Sequence, residues 1–123
     1  MKVYKDGALL TWTTVRTIPT TLATDLTLNT NIGARNGTNE FSGKIDEVAY
    51  WHSLENPLDI YNGGEPTTIT GAVAHYKMGE NATFLTNWTV PDAVGSNHGT
   101  SANMTLEDRL GEAPNSTNNA LSL

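Results

Sequence analysis

Apolar residues occur in short runs separated by Thr, Asn and Gly, a pattern that predicts brief strands and tight turns rather than long helices. Val3-Tyr4-Lys5 leads into Asp6-Gly7, and Ala8-Leu9-Leu10 leads out. Asp-Gly supplies two residues that tolerate positive φ, so a two-residue type I′ hairpin is predicted. Pro19 interrupts the Thr-rich stretch 13–24 and marks it as a connection or an edge. Leu26-Thr27-Leu28-Asn29 alternates and predicts a strand, Asn31-Ile32-Gly33-Ala34-Arg35 predicts another weakened by Gly33, and Asn36-Gly37 is a second hairpin signal.

Lys44-Ile45-Asp46-Glu47-Val48-Ala49-Tyr50-Trp51 is the densest apolar stretch, and its phase conflicts with itself. Ile45 and Trp51 fall on one face by period two, while Val48 and Tyr50 fall on the other. Either both faces are covered or a bulge near Asp46-Glu47 shifts the register. In both cases Asp46 is partly buried and needs partners. A single helical turn is predicted after Asn56, which can cap, with Pro57 at the first position, Leu58 and Tyr61 facing inward, and Gly63 closing the end.

In the second half, 72–78 predicts a strand and 79–88 a long polar loop with Trp88 as its aromatic anchor. Residues 91–100 predict tight turns leading into a short strand. Thr105 to Asp108 predicts one capped turn ended by Gly111, and 119–123 a strand.

Composition agrees with an all-β chain of one-domain size. Hydrophobic residues make up 37% and charged residues 16% of 123, which is too little charge for a self-repelling disordered tail. Thirteen acidic against seven basic side chains, with no basic run, argue against a nucleic-acid groove. No apolar run approaches the roughly 20 residues of a membrane span, and none resembles a signal peptide. Cysteine is absent, which removes disulfides, thiolate catalysis and Cys-based metal sites. Five Asn-x-Ser/Thr triplets follow from the Asn- and Thr-rich composition.

Several blocks carry a resemblance. Val3-Tyr4-Lys5-Asp6-Gly7, Asn31-Ile32-Gly33-Ala34-Arg35, Phe41-Ser42-Gly43-Lys44-Ile45-Asp46-Glu47-Val48 and Ile60-Tyr61-Asn62-Gly63-Gly64 resemble the C-terminal half of laminin-G-like domains. These belong to the concanavalin A-like lectin and glucanase superfamily. Val73-Ala74-His75-Tyr76, the stretch from Asp92 to Thr100, and Asn119-Ala120-Leu121-Ser122 resemble the opening of such a domain. The order is therefore permuted: 1–66 resembles a C-terminal half, and 67–123 the opening strands of a second module, the two folding together as one domain. The second block is also similar to segments of marine tailed-bacteriophage virion proteins, including tail fibres. The resemblance implies an antiparallel jelly-roll-like β-sandwich, incomplete and with one short helix. It also implies a carbohydrate-binding or adhesion role on a virion or extracellular assembly that needs no signal peptide. Partners would be a cell-surface glycan, other virion subunits or a second copy of the chain, with neither nucleic acid nor membrane. A purely architectural virion module is the alternative, and a glycoside hydrolase fragment a distant one.

The resemblance implies calcium near Asp46, with Asp92 and Asn97 as further candidate ligands. Calcium needs six to eight oxygens, so a strand-pinning role for Asp46 competes, and turn-forming side chains equally explain Asp92 and Asn97. Trp12, Trp51, Trp88, Tyr50 and Tyr76 could stack on sugar rings. Tyr50 and Tyr76 are expected in the core, and Trp12 and Trp88 are the candidates for exposure and ligand contact. No Glu-x-Asp-x-Glu spacing, HExxH pair or G-x-S-x-G elbow is present, and no catalysis is expected.

Overall fold

The computed structural model describes residues 2–11, 30–34, 39–64, 69–110 and 120–122. Trp12, the segment 13–24, the expected strand at 26–29, the Asn36-Gly37 turn and Gly111 lie outside the described residues. What is described is mainly β, with one five-residue α-helix and two short 3₁₀ turns. The strands are β1 (Tyr4–Lys5), β2 (Ala8–Leu9), β3 (Lys44–Ile45), β4 (Val48–Tyr50), β5 (Ala74–Tyr76), β6 (Thr83–Phe84), β7 (Trp88–Val90), β8 (Gly99–Thr100), β9 (Arg109–Leu110) and β10 (Ala120–Ser122). They form small antiparallel sheets in the orders β1-β2, β3-β10-β9, β4-β5 and β6-β7-β8.

Local chemistry explains the first hairpin. Tyr4 pairs with Leu9 and Lys5 with Ala8, while Asp6 (φ 52°) and Gly7 (φ 75°) both adopt the positive φ that a type I′ turn demands. Helix α1 (Pro57–Tyr61) starts as expected: the Asn56 side chain accepts from Leu58 N–H at 3.3 Å, and Pro57 occupies the first turn. It ends at Asn62, which is left-handed at φ 42°, followed by Gly63 at φ 69°. Leu58 and Tyr61 were expected inward, but both are exposed, because they lie over the Gly7 turn rather than inside a sandwich. Of the strand expected at 31–35, Arg35 lies outside the described residues and residues 32–34 form bends, with Gly33 at φ 78° and its carbonyl accepting from Phe41 N–H at 2.7 Å.

The phase conflict at 44–51 is resolved by a break. Strand β3 stops at Ile45, Glu47 turns into the left-handed region at φ 50°, and β4 starts at Val48. The two strands then take different partners from the second half of the chain. Leu121 of β10 pairs with Ile45, whereas β4 pairs with β5 as Val48↔Tyr76, Ala49↔His75 and Tyr50↔Ala74.

The core sits where β5 and the β6-β7-β8 sheet meet. Met78, Ala82, Trp88 and Val90 are buried, and Ile32, Ile45, Val48, Tyr76, Phe84 and Met104 pack against them. The expected polar loop at 79–88 is instead a hairpin, in which Thr83 pairs with Thr89 and Phe84 with Trp88. Its strands hide among Thr and Asn because only one face is apolar.

Candidate functional site

Trp88 is the largest fully buried side chain, at 2% exposure, which corrects the expectation of an exposed aromatic. Its indole N–H donates to Thr105 O at 2.7 Å, Phe84 lies tilted against it at 5.2 Å, and the Arg109 guanidinium sits 5.8 Å from its centroid. A ring so enclosed has no face left for a sugar. Tyr50, expected in the core, is 41% exposed, while Tyr76 is half-buried and packs on the core.

Asp92 is buried, and its carboxylate is taken up by backbone. Oδ1 accepts from His75 N–H (3.0 Å) and Val94 N–H (3.2 Å), and Oδ2 from Asn97 N–H (3.3 Å). The His75 amide chiefly holds its pKa below the ordinary carboxylate value against the opposing effect of burial, helped by the amides of Val94, Asn97 and Gly95. The side chain thus stands beside β5 where another strand's carbonyl would stand, and Ala93 N–H returns a bond to His75 O at 2.7 Å. Asn97 contributes backbone only: its N–H reaches Asp92, and its carbonyl accepts from Tyr76 Oη at 2.7 Å. Burial, then the charges of Asp92 and Tyr50, push the Tyr76 phenol pKa up. These contacts give Asp92 and Asn97 a turn-building role and place neither in the carboxylate group around Asp46.

That group consists of Asp46, Glu47 and Glu80, each half-buried and each presenting an oxygen within 4.8 Å of the others. The break between β3 and β4 supplies the first two, and the turn after β5 supplies Glu80. Asp46 Oδ1 accepts from Glu47 N–H at 3.0 Å. Burial first, then the Glu47 carboxylate, push its pKa from 3.8 to about 6; Glu80 adds to the rise, and the Glu47 amide and His75 oppose it. Three hard oxygen donors suit a divalent cation in kind, but they are half or less of the six to eight that calcium takes. His75 completes the cluster. It is 3% exposed, with Nε2 2.6 Å from Glu47 Oε2. Sequence reasoning missed His75 and Glu80 because their partner lies far away along the chain; the phase conflict at Asp46-Glu47 was the only signal.

A second site lies between the end of β4, helix α1 and the approach to β5. A shallow groove of about 80 Å³ is lined by Trp51, Glu55, Asn56, Asp59 and Thr70, with Ile60 and Ile69 as apolar lining. Trp51 follows β4 directly, and its indole N–H donates to Thr70 O at 3.0 Å, which fixes the ring. Asn56 Nδ2 donates to Asp59 Oδ2 at 3.0 Å, and Ser53 Oγ donates to Glu55 Oε1 at 2.5 Å. A neighbouring groove of about 340 Å³ shares Glu55 and Asn56 and adds Lys2, Tyr4, Leu54 and Pro57. An aromatic ring lining the same groove as carboxylates and an amide offers an apolar surface beside hydrogen-bond acceptors. Sequence reasoning had Trp51 among the aromatics but gave no reason to place Glu55 and Asp59 beside it.

No protein-family model matches the chain, and neither a curated protein nor a solved structure matches it.

Proposed function

We propose that the chain is a non-catalytic carbohydrate-binding module, a permuted laminin-G-like sandwich carried on a phage virion or extracellular structural protein. The observation that carries the saccharide reading is the Trp51 groove, whose lining combines an indole tied to Thr70 O with Glu55, Asn56 and Asp59. Sugar rings offer an apolar C–H face to the indole and hydroxyl donors to the carboxylates. The pairing of β4 with β5 supports the permuted order, because opening and closing strands lie side by side in the parent architecture. Catalysis is left out of the proposal: Asp46 and Glu47 are chain neighbours, and Glu47 is tied to His75. The test is a glycan array with wild type and Trp51→Ala, with circular dichroism confirming that both fold. Binding by wild type that Trp51→Ala loses supports the reading; an array without signal overturns it.

One observation favours the architectural alternative. Leu9, Leu54 and Leu58 of the hairpin and α1 region are 54%, 96% and 63% exposed. Apolar exposure of this kind suits a subunit contact, and sedimentation of the full chain reads it directly.

A further inference from the structure

The groove at Trp51 carries a charge that an ordinary sugar does not use. Its lining among the described residues includes two acidic side chains, Glu55 and Asp59, and no basic one; Lys2 lines only the neighbouring groove. Asn56 lies between them in the chain and donates to Asp59, while its own Oδ1 serves the helix cap. The Trp51 indole, held by Thr70, belongs to the same lining. A protonated amine is the group that gains from both the carboxylates and the indole. It donates charge-assisted hydrogen bonds to the carboxylates and is attracted to the negative face of the indole. A uronate or sulfated sugar meets the same carboxylates as like charges, and the chain's net charge of −6 adds to that repulsion.

Resting on the saccharide reading above, we propose that the groove selects amino sugars bearing a free ammonium over neutral and acidic sugars. The order expected is glucosamine first, glucose and N-acetylglucosamine next, and glucuronate last. N-acetylglucosamine is the informative control, since acetylation keeps the ring and removes the charge. Exposed ion pairs are modest, so the preference for glucosamine over N-acetylglucosamine is about fivefold at low salt and shrinks at high salt as the charges are screened.

The experiment titrates the full chain with these four sugars and with tetramethylammonium, following the Trp51 indole N–H signal by NMR at a pH where glucosamine is protonated. The expected order, together with its loss in high salt, supports the proposal without requiring any variant. The double variant Glu55→Gln, Asp59→Asn retains acceptor oxygens for Ser53 and Asn56, and is expected to bring the glucosamine to N-acetylglucosamine ratio to about one. Equal affinity of wild type for all four sugars overturns charge selection and leaves the saccharide reading standing. Absence of any response to sugars overturns the saccharide reading itself. A response to tetramethylammonium equal to that for glucosamine overturns the proposal by showing a bare cation site.

Discussion

His75 and Glu47 meet across the β4-β5 pair, Nε2 to Oε2 at 2.6 Å, although 28 positions separate them in the chain. The imidazole side chain is 4% exposed and the carboxylate 21%, so one end of the contact is dry and the other reaches water. Glu47 holds this position from a left-handed backbone that favours glycine, at the break between β3 and β4.

Glu47→Leu should therefore destabilise the chain by about 1–3 kcal/mol, since it leaves a buried imidazole nitrogen without an acceptor. Glu47→Gln, which keeps an acceptor oxygen, should cost less. Urea unfolding of both variants checks the ranking, and equal costs would show that the contact contributes nothing specific.

Asp46 imposes a pH dependence of definite sign. Its folded-state pKa of about 6 lies above 3.8, so the native protein retains a proton over a window in which the unfolded chain has released it. The contribution to stability is complete below pH 3.8 and is lost as pH rises through about 6. Asp46→Asn should flatten the stability profile over that interval and leave the variant the more stable at neutral pH. Melting temperatures measured with chelator present test this; a wild-type profile that rises across the window contradicts the assignment.

Calcium bears on the same residue in a separate way. Three carboxylates held together lose repulsion when a divalent cation joins them, so millimolar calcium should raise the melting temperature of wild type and not of Asp46→Ala. Identical melting curves with and without calcium would leave Asp46 only its bond to the Glu47 amide.

Trp88→Ala should cost about 3–5 kcal/mol and unfold so small a core, because it empties the centre of the packed cluster. Trp88→Phe should cost less, with Thr105 O losing its donor. Thermal unfolding followed by far-UV circular dichroism reads both.

Gly7→Ala should destabilise by about 1–2 kcal/mol, because a Cβ there would lie 2.8 Å from Tyr61 Cδ1 at a φ of +75°. Loss of the α1 contact would appear as faster amide exchange in both the hairpin and the helix.

Features written into neighbouring residues were legible in the sequence, and features that depend on distant pairing were not. Asp6-Gly7 and Asn56-Pro57 dictate their turn and cap locally, and the period-two conflict around Asp46-Glu47 marked a real break. Strand β5 pairs with Val48–Tyr50 and not with Ile45, because the break at Asp46-Glu47 hands β3 to β10, a distant pairing that no local pattern announces. Trp88 was misplaced because Thr and Asn around it suggest a loop, whereas their alternation with Trp88 and Val90 builds a strand with one buried face. The Trp51 groove depends on Ile69 and Thr70 returning beside α1, which no local pattern announces.

The break at Glu47 also bears on the order of folding. It sends β3 to Leu121 and β4 to Ala74–Tyr76, so both strands of this stretch find their partners only in chain synthesised later. A ribosome-bound intermediate ending near residue 66 would have no template for either strand, and the Ile45–Leu121 pairing closes a loop of more than half the chain. Pairing of β3 is thereby deferred until residue 121 has been synthesised, and contacts of such long sequence separation should form slowly.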